Sequence, residues 1–111
     1  MRKISGKITC TSRNTIQTGS TVNVQIIECF VDKVPNILGS ICIPMATHFP
    51  ILFEMSFDET QIIANKFKGM FLLCVNIQRK DKVTFINNGV QIVFEQMKLI
   101  LEKIELAVNE A

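Results

Sequence analysis

Phe49-Pro50-Ile51-Leu52-Phe53-Glu54-Met55-Ser56-Phe57 carries Phe49, Ile51, Phe53, Met55 and Phe57 on every second position, with Pro50, Glu54 and Ser56 among those between. In an extended chain successive side chains point to opposite faces. The stretch therefore predicts a strand with one face in a core and the other largely in water. Pro50 lacks an amide donor and belongs at a strand start or on an edge. The strand is thus expected to begin at a sheet margin.

Segments of the same period flank it on both sides. Ile4, Gly6, Ile8 and Cys10 alternate with Lys3, Ser5, Lys7 and Thr9, and a polar connection over 11–21 follows. Val22, Val24 and Ile26 are the inward set of a second strand. Its parity breaks at Ile27 and Glu28, which predicts a bulge or the end of pairing. After a loop over 31–36, Ile37, Gly39, Ile41, Ile43 and Met45 form a third inward set, with Pro44 near the finish. Beyond the opening stretch, residues 59–69 are expected to be a short helical or irregular crossover. Phe71, Leu73, Val75 and Ile77 give a fifth strand, turned by Lys80-Asp81-Lys82 into a sixth over 83–86. Asn87-Asn88-Gly89 then marks a tight turn.

The last third reads two ways. Val93, Met97, Ile100, Ile104 and Ala107 lie at helical steps. The same residues also divide into a strand near 90–94 and a final strand over 99–106, and periodicity leaves the two even. Short strands about every ten residues, with turn signals between, predict an all-β fold. We expect one domain over 1–111, an antiparallel β-sandwich of about seven to eight strands.

Composition narrows the function classes. Twelve Lys and Arg against ten Asp and Glu give too little charge for a nucleic-acid partner, which needs several phosphates neutralised together. The densest basic run, Arg79-Lys80-Asp81-Lys82, contains an acid and reads as a solvated turn. No segment approaches the roughly 18 uninterrupted apolar residues of a membrane span. Met1-Arg2-Lys3 is followed by no apolar run, so a cytoplasmic chain is expected, the alternative being an exported one with its leader removed. Cys10, Cys29, Cys42 and Cys74 are widely and irregularly spaced, which argues against a zinc site. They read as reduced, small apolar side chains or as one or two disulfides.

Four features together resemble the small β-sandwich proteins of the YbaY/YscW type, bacterial lipoproteins and type III secretion pilotins. They are Ile4-Ser5-Gly6-Lys7-Ile8, Val22-Asn23-Val24-Gln25-Ile26, the stretch Phe49 to Asp58, and Phe85-Ile86-Asn87-Asn88-Gly89. The resemblance spans nearly the whole chain. It implies that residues 98–106 are the closing strand, that the last third is not a helix, and that the protein acts as a chaperone for a protein partner. Bacterial members carry a leader and a lipid-modified cysteine. Met1-Arg2-Lys3 shows neither, and Cys10 lies within a strand pattern.

The residues offer little for catalysis, which needs a nucleophile beside a base, paired carboxylates in a cleft, or a metal. His48 is the single histidine, Asp58-Glu59 reads as a solvated turn, and the five glycines are scattered. The expectation is a protein that is not an enzyme and uses no cofactor or metal. Two functions follow. One is an interaction module for a protein or peptide partner, self-association included, by strand addition at an exposed edge. Apolar residues of outer parity, Ile27, Leu38, Leu52, Met70, Leu72 and Ile86, motivate it. Of these Leu52, Leu72 and Ile86 are the candidate interaction residues, forming an exposed patch unless the 59–69 crossover or a dimer partner covers them. The other is a carrier of a small apolar ligand between the sheets, motivated by Phe53, Met55, Phe71 and Phe85 on inner parity.

Overall fold

The computed structural model describes the chain except residues 1, 13, 64–69, 88–89, 93, 96–97 and 100–102. The long strands are β1 (Arg2–Thr9), β2 (Thr21–Cys29), β3 (Asn36–Pro44), β4 (Ile51–Phe57), β5 (Met70–Arg79) and β6 (Lys82–Ile86). Short ones follow: β7 (Val90–Ile92), β8 (Phe94–Glu95), β9 (Lys98–Leu99), β10 (Lys103–Ala107) and β11 (Asn109–Glu110). A single 3-10 turn, Glu59–Gln61, opens the crossover; most of the rest of that segment lies outside the described residues. Among the described residues the last third is strand, so the sandwich reading holds and the helical one falls.

One sheet has the order β10-β1-β4; the other runs β11-β6-β5-β2-β3, with β7 also on β5. β8 and β9 pair antiparallel as a separate two-stranded sheet. Among the described residues the strand pairings are antiparallel except that β10 lies parallel to β1. A parallel neighbour needs a long crossover, and here nearly the whole chain separates the two strands. The expected closing strand over 98–106 is shorter than foreseen, because Lys98–Leu99 pairs with β8 and only Lys103–Ala107 closes on β1.

Inner side chains of both sheets meet in one core. β4 alternates as its sequence demands: Ile51, Phe53, Met55 and Phe57 are buried, while Leu52, Glu54 and Ser56 are exposed. It is the last strand of its sheet, as Pro50 foretold. Phe71, Leu73, Val75 and Ile77 are buried on β5. The β5–β6 turn places Lys80 and Asp81 at φ 52° and 64°, the doubly left-handed geometry that matches strand twist in a two-residue hairpin.

Two parity readings need correction. A register shift falls between Ile26 and Ile27, where the break was read, but the fault lies in β3. Ile26 pairs with Gly39 and Ile27 with Ile37, so Leu38 is the extra residue and turns inward, 8% exposed, leaving Ile37 in solvent. On its β5 side β2 continues unbroken to Cys29, and Glu28 is fully buried. Met45 also leaves the inward set: it is exposed, past the strand end, at φ 60°.

Gly39 sits where β3 crosses close to β4. An added Cβ would lie 3.1 Å from both the Ser56 carbonyl oxygen and the Phe57 Cβ, and 3.2 Å from the Ile26 Cγ2. Backbone cannot yield as a flexible side chain does. Gly39→Val is expected to cost about 1–3 kcal/mol by overpacking, read as a lower urea midpoint. An unchanged midpoint would mean that the two strands do not touch in solution.

Candidate functional site

The free side of β4 follows from hydrogen-bond alternation. Val108 donates its amide to the Thr9 carbonyl at 2.9 Å, so Thr9, and with it Lys7 and Ser5, turn their backbone groups toward β10. Ile4, Gly6 and Ile8 therefore turn toward β4, where they face Met55, Phe53 and Ile51. Leu52, Glu54 and Ser56 are left with N–H and C=O directed away from β1. The Ser56 carbonyl confirms that direction, since it points at Gly39 of β3.

Across this edge stands β3, the last strand of the other sheet. The two approach at Gly39 and Ser56 without joining in one sheet. Further along β3, Ile41 and Ile43 pack against the core but remain half-exposed. The connecting loop 45–50 is held to residues 14–20 instead, with Met45 bonded to Ser20, Thr47 to Ile16 and Phe49 to Asn14. The result is a seam with a backbone row unpaired among the described residues on one side and apolar side chains on the other. Lys3–Glu54 and Lys7–Glu105 pairs at 3.8 and 3.9 Å lie on the solvated outer face beside it; such exposed pairs contribute little.

The three candidate interaction residues do not meet. Leu52 is 77% exposed, on β4 beside the seam. Leu72 and Ile86 belong to the opposite sheet. Ile86 faces Asn76, four positions and about 13 Å along β5 from Leu72. Leu72 instead lies in a row across four strands, Ile37–Ile27–Leu72–Gln91. One patch of Leu52, Leu72 and Ile86 is thus geometrically split. Parity did not single out Glu54 and Ser56, which turn their backbone outward on the same edge as Leu52.

Phe53, Met55, Phe71 and Phe85 are buried in the common core, and Phe85 meets Phe49 edge-on at 5.5 Å. All four cysteines are unbridged. Burial pushes the Cys74 thiol above its ordinary value, with Cys29 adding to the effect, so it is a poor nucleophile. His48 Nδ1 lies 2.9 Å from the Thr47 hydroxyl. The Thr60 hydroxyl and amide both donate to Asp58 and hold its carboxyl below the usual range, as expected of a capped turn. Among the described residues no three His, Cys, Asp or Glu side chains gather to hold a metal, and no helix is long and apolar enough to cross a membrane.

Comparison with known proteins agrees with this architecture. The family model described as type III secretion system lipoprotein chaperone (YscW) matches residues 1–106. Among solved structures, an alternative pilotin from the type II secretion system of Vibrio cholerae is similar, with a TM-score of 0.81. That likeness covers 99% of this chain and 96% of the pilotin at 13% identity, and it establishes the fold. A search of curated proteins finds no match.

Proposed function

The chain belongs to the type III secretion system lipoprotein chaperone (YscW) family, and from that premise we propose that it is a non-catalytic chaperone that holds an extended segment of a secretion-apparatus protein along β4. The observation that carries this reading is the outward backbone of Leu52 and Glu54, unpaired among the described strands. An unpaired strand edge is a template for another strand. A segment added there satisfies these groups, and its alternate side chains come to rest on the half-exposed Ile41 and Ile43. Leu52 lies beside the added strand; Leu72 and Ile86 take no part. The word lipoprotein in the family's description favours an exported protein with its leader removed over the cytoplasmic placement suggested by the N-terminus.

The test uses overlapping peptides from the secretin of the source organism, the partner that the resemblance implies, titrated by calorimetry. Binding should bring hydrogen-exchange protection to the Leu52 and Glu54 amides. Besides the exposed Lys3 pair, which contributes little, Glu54→Pro removes an outward N–H, which an edge strand tolerates, and should weaken binding at least about tenfold. Glu54→Thr keeps the donor and should bind normally. If Glu54→Pro binds as the parent does, strand addition at β4 is wrong.

A further inference from the structure

At the pole of the sandwich where residues 15–17 meet the β5–β6 hairpin and the C-terminal segment, a cavity of about 460 Å³ opens. Two cations line it, Arg79 and Lys82, with Glu110 as the single acidic side chain. Ala111 also lines it. The Arg79 Nε donates to the Thr18 carbonyl at 2.9 Å. That bond fixes the guanidinium plane and leaves its two terminal nitrogens as a planar donor pair, the geometry that matches a carboxylate. Neither Arg79 nor Lys82 has an ion pair among the described residues. The Thr84 hydroxyl is turned to the Ile77 carbonyl, so Thr15 is the lining hydroxyl left to donate. Val83 and Phe85 add an apolar wall.

We propose that this cavity binds the carboxylate of a small organic monoanion with an apolar body, clamped by Arg79 and Lys82. The volume lies in the range of ordinary ligand sites and far exceeds what a bare inorganic ion fills. The planar donor pair of Arg79 suits a carboxylate, and the apolar wall favours one that carries a hydrocarbon group over a bare phosphate. A free carboxylic acid and the C-terminal residue of a peptide share this chemistry. The site does not depend on strand addition at β4, and Glu54→Pro should leave it intact.

The experiment is a heteronuclear NMR titration of the whole chain with hexanoate, N-acetyl-leucine, N-acetyl-leucine amide and inorganic phosphate. Both carboxylates should shift the Thr15, Thr84 and Phe85 amides in a saturable way, and the amide should not. Tighter binding of N-acetyl-leucine than of hexanoate would identify a chain end as the source; the reverse would identify a free acid. Lys82→Gln, at an exposed position that leaves the Arg79–Thr18 bond in place, should weaken binding at least about tenfold, and Arg79→Gln should do the same. Equal binding of acid and amide, tighter binding of phosphate, or an unchanged affinity in a folded Lys82→Gln protein would overturn the assignment.

Discussion

Glu28→Ala is expected to lower the stability of the domain by about 3–5 kcal/mol, because it removes a fully buried carboxylate that collects donors from two other parts of the chain. The Asn36 side-chain amide donates to Glu28 Oε1 at 3.1 Å, and the Ile63 amide to the same oxygen at 2.9 Å. Asn36 also donates to the Gln61 carbonyl at 3.0 Å. The carboxylate thereby ties the crossover after β4 to the ends of β2 and β3. Hydrogen bonds to a charged acceptor contribute about 1.5–3 kcal/mol each, and truncation also leaves a void. The desolvation cost of the carboxylate, which vanishes in the variant, offsets part of this. Glu28→Gln keeps one acceptor oxygen and should cost only about 1–2 kcal/mol. Urea unfolding separates the two. If alanine and glutamine variants unfold within about 0.5 kcal/mol of each other, the carboxylate is not the anchor.

The second large effect is expected at Asn87, where alanine should cost about 2–4 kcal/mol. β6 leaves β5 after Ile86, and β7 joins it again opposite Leu73. Asn87 fills the gap. Its Oδ1 accepts the Val75 amide at 2.8 Å, its Nδ2 donates to the Leu73 carbonyl at 3.2 Å, and its own amide bonds to the Val75 carbonyl at 3.2 Å. The side chain replaces the peptide unit that a continuous strand would present. Truncation leaves the buried Val75 N–H without its partner in the middle of the large sheet. Hydrogen exchange at the Val75 amide should quicken well beyond the global change in stability; an unaltered ratio would sink the reading. Asn87→Asp keeps the acceptor but sets a negative oxygen against the Leu73 carbonyl. Its carboxyl pKa in the folded state should rise, so the stability it retains is present at low pH and lost as pH climbs through that raised value.

These two residues mark where the sequence stops being legible. Asn87 precedes Asn88 and Gly89, and the three together read as a turn. Its true partners lie 12 and 14 residues away, and no local pattern reports them. Glu28 occupies the inward position after Val22, Val24 and Ile26, so strict alternation had placed it correctly. Its charge argued for a break, because a buried carboxylate is costly until its donors are known, and those sit 8 and 35 residues off.

Alternation by itself determined the strands of β1, β2, β4, β5 and β6 and the inward identity of residues such as Phe53 and Leu73, because burial of one face of a pleated strand writes a period of two into the chain. Pro50 added the expectation that β4 begins at a sheet margin, since a residue without an amide donor belongs at a strand start or on an edge. Tertiary structure alone decided which strands share a sheet, that Leu38 rather than Ile37 turns inward, that Leu52 and Leu72 stand on opposite sheets, and that β10 closes in parallel on β1. Each of these depends on hydrogen bonds between segments distant in sequence, and a periodic pattern states which face a residue takes but not which neighbour it faces.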